Sequence, residues 1–189
     1  MKFNEHWELQ GKHAFIGASS YHWLNYTPQK MHDFYLTNQA KEKGTELHAI
    51  ASSLINNGLK MAHLKKAFNM FVNDAIGFKL HSEQVLVYSA YAFGTADAIA
   101  FRDGVLRIHD LKTGVSTPSF KQLNIYAALF CLEYDVDPEK IDIVERLYQG
   151  AGFEEYMPTF EEIQMTMDKI VEMDEIVSKT AKEYNNQDI

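Results

Sequence analysis

Residues 94–126 decide the fold: Gly94-Thr95-Ala96-Asp97-Ala98-Ile99-Ala100-Phe101, then Val105-Leu106-Arg107-Ile108-His109-Asp110-Leu111-Lys112-Thr113-Gly114, then Pro118-Ser119-Phe120-Lys121-Gln122-Leu123-Asn124-Ile125-Tyr126. Asp103-Gly104 separates the first two runs and is a strong hairpin signal. It predicts two antiparallel strands, with Ala98–Phe101 laid against Val105–Ile108. Strand side chains alternate with a period of two, so Asp110 and Lys112 share a face while Leu111 turns the other way, into the core. The same pairing can bring Asp97 beside Asp110.

Two carboxylates held close repel each other, and either one takes a proton or a divalent cation is recruited to neutralise them. Oxygen ligands favour Mg2+ or Mn2+ over zinc. An ammonium such as Lys112 beside that ion can orient or help deprotonate water, or stabilise charge on a phosphorus centre. Paired acids with a lysine are the minimum set for metal-assisted hydrolysis of a phosphodiester. The bland alternative is a cross-strand ion pair on a solvated sheet face, and an Asp-x-Lys triplet alone does not displace it.

Working outward, Thr117 reads as the N-cap and Pro118 as the first turn of the next helix, on which Gln122 and Tyr126 lie four apart on one face. Leu123, Ala127 and Phe130 form the stripe that docks this helix on the sheet. Upstream, Gly44-Thr45-Glu46-Leu47-His48 leads a helix whose apolar stripe is Leu47, Ile50, Ala51, Leu54 and Ile55, with His48 at its edge. Taken alone, such a histidine is more often a boundary residue than a ligand. The other seven histidines show no ligand spacing, and His109 points away from Asp110 on its strand.

Together these motifs resemble the PD-(D/E)XK nuclease superfamily, specifically its RecB-like exonuclease branch, which includes CRISPR-associated and stand-alone bacteriophage members. The resemblance spans about Ser19 to Tyr126 and rests on G-T-E-L-H, G-T-A-D-A-I-A, I-H-D-L-K-T-G and Q-L-N-I-Y, in that order. It implies His48, Asp97 and Asp110 as metal ligands, with the backbone carbonyl of Leu111 beside them. It also implies Lys112 as the catalytic lysine, with Asp97 and Asp110 completing the catalytic set. Gln122 and Tyr126 would support the site or contact the nucleic-acid backbone, and Glu83, in S-E-Q-V-L-V-Y, falls where relatives often carry a glutamate. The cofactor implied is Mg2+ or Mn2+. No iron–sulfur cluster is implied, because that needs four cysteines and this chain has only Cys131.

Length and composition fit that frame. The chain has 189 residues, 46% hydrophobic and 13% aromatic, enough for one domain with a sizeable core. The expectation is a single domain over 1–189: a helical cap region (1–76), a sheet core with the Gln-x-x-x-Tyr helix (77–150), and a strand end with a long helix (151–189). No apolar run approaches the ~20 residues that span a bilayer, and the first residues lack the apolar core of a signal peptide. One cysteine excludes an internal disulfide and suits a reducing cytoplasm, here that of a bacterial or phage-infected cell. The net charge of −8 is awkward for a phosphate-binding protein. Much of the acid, however, sits near the C-terminus, while Lys41, Lys43, Lys60, Lys65, Lys66 and Lys121 flank the motifs and could rim a cleft.

Periodicity predicts helices over 20–24, 28–39, 44–57 and 60–74, strands over 81–90, 94–101 and 105–112, a helix over 118–134, a strand over 141–149 and a helix over 159–184. Thr159 and Glu162 form a capping box. The fold class is α/β: a central mixed sheet flanked by helices, restriction-endonuclease-like in its core, with an N-terminal helical cap. Tyr21 and Trp23 in the cap either pack it or stack on unpaired bases. The long C-terminal helix has its own stripe, Ile163, Met167, Ile170 and Val177.

Three functions stay open at this stage. The first is a DNA exonuclease acting in recombination, repair or phage DNA processing on ends or single strands, with recombination or replication proteins as partners and none in a membrane. The second is a structure- or sequence-specific endonuclease on the same fold. The third is a non-catalytic nucleic-acid-binding assembly subunit, against which the intact acids and lysine argue.

Overall fold

The computed structural model describes residues 14–114, 117 and 119–185. The chain parts into two compact units, Met1–Lys43 and Gly44–Ile189. In the first, a 3-10 helix (Ala18–Asn25) precedes the start of α1 (Pro28–Asn56), and none of residues 14–43 is buried. Trp23 donates from its indole nitrogen to the carbonyl of Gly17 at 2.9 Å.

The second unit holds a five-stranded mixed sheet in the order β1-β2-β3-β4-β5. Its strands are β1 (His81–Val87), β2 (Phe93–Arg102), β3 (Val105–Lys112), β4 (Asp142–Gln149) and β5 (Gly152–Tyr156). The β2–β3 hairpin turns at Asp103 and Gly104, with φ of 51° and 76°, the left-handed pair a tight two-residue turn demands. Its register runs from Arg102 opposite Val105 to Ala98 opposite His109. α3 (Lys121–Tyr134) carries the chain across so that β4 returns parallel to β3, as expected of the run after that helix.

Each face of the sheet buries one cluster. On one side Ile99, Leu106, Ile108 and Leu147 pack under Leu123, Ala127 and Phe130 of α3 and Ile163 of α4 (Phe160–Asn185). On the other, Ala98, Leu111 and Tyr148 pack under Ala51 and Ile55 of α1 and Phe71, Val72 and Ala75 of α2 (Ala67–Gly77). The Thr159/Glu162 capping box forms in both directions, at 3.3 and 2.9 Å.

Several boundaries differ from the sequence reading, each for a physical reason. α1 is one continuous helix where two were expected. Gly44 costs it roughly 1 kcal/mol of propensity, but any Cβ there would stand 2.8 Å from Thr113 Oγ1. α2 starts at Ala67 rather than 60, because Asn69 and Asn73 bond the backbone of Met61 and Ala62 and hold that segment out of the helix. β1 stops at Val87, where Ser89 Oγ accepts the N–H groups of Tyr91 and Ala92 and closes a turn. α3 begins at Lys121 with Phe120 at its cap, so Thr117 is not the N-cap; Pro118 lies outside the described residues. β5 was not expected; it turns back on β4 through Gly150, at φ 62°. In α4, Val177 is exposed rather than part of the buried stripe. In the 3-10 helix, Tyr21 is 59% exposed and does not pack into a core.

No helix among the described residues is long and apolar enough to cross a membrane.

Candidate functional site

The hairpin register ends with Ala98 opposite His109, and one step further sets Asp97 opposite Asp110. Asp97 Oδ2 accepts the N–H of Leu111 at 2.8 Å, which pins that carboxylate against β3. Its other oxygen lies 3.3 Å from His48 Nδ1 on α1. Partnership with Asp97 raises the proton affinity of His48 above that of a free imidazole, against the opposing effect of burial.

Glu83 joins this pair from the edge strand β1. Ser82 pairs with Ala98 and Gln84 with Ala96, so Glu83 stands across from Asp97. Its φ of 52° is a left-handed value inside a strand, uncommon for a non-glycine residue. Burial, then the negative charge of Asp97, pushes the Glu83 carboxyl upward. One ligand atom each from His48, Glu83 and Asp97 falls within 4.8 Å of the others. Adjacent ligands on an octahedral Mg2+ lie ~3 Å apart and opposite ones ~4.2 Å, so the group would draw inward around an ion. One nitrogen and two carboxylates make a donor set that could hold a divalent cation.

Asp110 is 1% exposed. Its Oδ2 lies 2.8 Å from Lys112 Nζ as an ion pair, with no aligned hydrogen-bond donor among the described residues. Burial, then repulsion from Asp97, pushes its carboxyl above the ordinary range, with Lys112 opposing. Lys112 also donates to Gln122 Oε1 at 2.6 Å, and Gln122 Nε2 donates to the Tyr126 hydroxyl at 2.8 Å. The lysine is thus held between a strand carboxylate and a helix amide.

The structure therefore brings together His48, Glu83 and Asp97, and beside them Asp110, Lys112, Gln122 and Tyr126. The donor group centres on Glu83 where the sequence pattern emphasised Asp110, which faces Lys112 instead. Leu111 gives its N–H to Asp97 and buries its side chain in the second core. His109 turns to the opposite face as expected. There it meets the Tyr148 hydroxyl at 3.1 Å, and burial followed by Arg146 and Arg107 lowers its pKa to about 3. Lys60, Lys65, Lys66 and Lys121 are exposed, and among the described residues Lys112 alone pairs with the site's carboxylates.

Two glycines that the sequence reading left without a role belong to the site. A Cβ at Gly94 would lie 2.9 Å from Tyr126 Cε1, so its absence seats the tyrosine; Gly44 does the same for Thr113, just beyond Lys112. The signal was present as the glycine opening each motif.

A family model described as "Protein of unknown function (DUF2800)" matches residues 67–184. That stretch is more than half of the chain, and the chain belongs to this family. It carries every site residue except His48 and Gly44. No curated protein and no solved structure matches the chain.

Proposed function

We propose that this member of the DUF2800 family is a metal-dependent nuclease that hydrolyses phosphodiester bonds in DNA, acting from ends as an exonuclease. The observation that supports it most is the His48, Glu83 and Asp97 donor group set beside the buried Asp110–Lys112 pair. His48, Glu83 and Asp97 would hold Mg2+ or Mn2+, with Asp110 and the Leu111 carbonyl alongside. The ion, when bound, would supply Lewis acidity toward a phosphoryl oxygen and water.

The chain's own residues do the rest. Leu111 N–H fixes one Asp97 oxygen and leaves the other toward His48. Lys112 is ion-paired with Asp110 and donates to Gln122. With one of the three protons on its ammonium given to Gln122, another can serve the oxygen that gains charge as phosphorus is attacked. Gln122 and Tyr126 fix where that ammonium sits. The setting this activity fits is recombination, repair or phage DNA processing in the cytoplasm.

End-labelled linear DNA and closed circular DNA incubated with Mg2+, Mn2+ or EDTA test the proposal. Metal-dependent loss of linear DNA with circles intact is the expected result. Cleavage of circles would select an endonuclease. No cleavage of either in any metal would reject the enzyme.

A further inference from the structure

Residues 14–43 carry six aromatic side chains and bury none of them. Phe15 stacks against Phe34 at 4.9 Å and takes Tyr35 edge-on at 5.3 Å. Tyr26 meets Phe34 edge-on at 5.6 Å, and Tyr21 lies against His22 at 4.8 Å. These rings contact one another yet keep their outer surfaces in water: Tyr21 is 59% exposed and Tyr35 49%. Gathered rings with exposed faces offer a surface on which a flat ligand can stack.

Charge narrows the occupant. Lys30, Lys41 and Lys43 against Asp33 and Glu42 give this stretch +1, while the whole chain carries −8. Asp33 accepts from Gln29 at 2.9 Å and Glu42 from Gln39 at 3.2 Å. Lys30 sits 4.3 Å over the Tyr26 ring, joining a cation to an aromatic face. A polyanion whose bases offer flat faces matches both the rings and the net positive charge of the stretch, with Lys30 already set over the Tyr26 ring.

We infer that the ring cluster of residues 14–43 is a stacking platform for unpaired nucleobases, so that the nuclease proposed above takes single-stranded DNA or frayed ends rather than closed duplex. The inference rests on that reading for its biological sense, but its own chemistry is binding. Duplex hides its base faces, and single strands present them to any aromatic side chain without regard to sequence.

The test uses the full chain in EDTA, so that binding is read without turnover. Fluorescence anisotropy follows an oligothymidylate of about twenty nucleotides and a blunt duplex of the same length. The oligothymidylate is expected to bind more tightly than the duplex. Tyr21→Ala and Tyr35→Ala should each weaken it by roughly five- to a hundredfold while leaving duplex affinity and the melting temperature unchanged. Tyr35→Phe should bind like the wild type and Tyr35→Leu like Tyr35→Ala, because stacking needs a π-face. Full affinity in Tyr35→Leu, no preference for the single strand, or no binding would overturn the platform. A leucine variant that instead changes self-association in sedimentation would assign the patch to a second copy. Single-strand binding without cleavage in Mn2+ would sink the nuclease reading and leave the platform standing. Cleavage with unaltered binding by the alanine variants would do the reverse.

Discussion

Replacing Lys112 with methionine separates what the lysine does for the fold from what it does in the site. Asp110 is buried, and Lys112 is its cation, at 2.8 Å with 27% of the lysine side chain and 2% of the aspartate side chain exposed. Removing one partner of a buried pair leaves an uncompensated charge and costs ~3–5 kcal/mol. Water reaches part of this lysine, so the lower end applies, about 3 kcal/mol. For a chain of this length that corresponds to a fall of ~6–12 °C in melting temperature. The sign with pH follows from the raised carboxyl of Asp110. A group with a raised folded pKa contributes its stability below the unfolded value and loses it as pH rises through the folded value. Losing Lys112 raises that folded value further, so the variant should approach wild-type stability in acid and fall behind as pH climbs. The double variant Lys112→Met with Asp110→Asn should recover most of the loss, since a neutral amide needs no cation. Calorimetric melts in EDTA across pH read all of this. If Lys112→Met melts with the wild type at neutral pH, Asp110 does not depend on the lysine and the geometry assigned to the pair is wrong.

Asp97→Asn should keep an acceptor for Leu111 N–H, leave the melting temperature within a few degrees, and abolish Mn2+ binding by titration calorimetry together with DNA cleavage; normal cleavage in saturating Mn2+ would remove Asp97 from the site. His48→Ala should weaken Mn2+ binding more than Mg2+ binding, since imidazole suits the later ion, while His63→Ala, in the exposed α1–α2 connection, should change neither. Gly94→Ala should push Tyr126 aside and lower turnover more than metal affinity, and an unchanged rate would mean that Tyr126 has room to shift without consequence. Glu145 is fully buried on β4, where burial and then the charge of Glu162 raise its carboxyl to about 8. Wild-type stability should therefore fall between pH 4.5 and 8, by up to about 4–5 kcal/mol at ~1.4 kcal/mol per pH unit. Glu145→Gln should flatten that slope in urea melts, and an unaltered slope would place its cause elsewhere.

The elements legible in the sequence are those whose causes are local. β3 occupies the predicted residues 105–112, because Asp103-Gly104 sets its start and apolar alternation carries it to Lys112. α4 follows its capping box for the same reason. What the sequence hides depends on distant partners. Gly44 reads as a helix break until Thr113, far along the chain, is found in the space its missing side chain leaves. Asn69 and Asn73 look like ordinary helix residues until their amides are seen holding Met61 and Ala62. Glu83 gives no warning of a left-handed backbone, and its approach to Asp97 follows from the β1–β2 register, which no short motif encodes.

The candidate site sits between these extremes because its central pair is fixed by one turn. In the observed hairpin, opposed residues number 207 in sum, from Arg102 with Val105 to Ala98 with His109, and the same count carried one residue on brings Asp97 level with Asp110. A slip of one residue would set Asp97 opposite Leu111 and turn every side chain of one strand to the other face. The core forbids that, since Ile108 and Leu111 are buried on opposite sides of the sheet. The same constraints that bury Leu111 therefore present Asp110 and Lys112 to α3, where Gln122 and Tyr126 wait at a helical spacing of four. The Asp97–Asp110–Lys112 group is thus aligned by a two-residue turn and by the parity of a strand, and the distant contributions of His48 and Glu83 are added to a centre already in register.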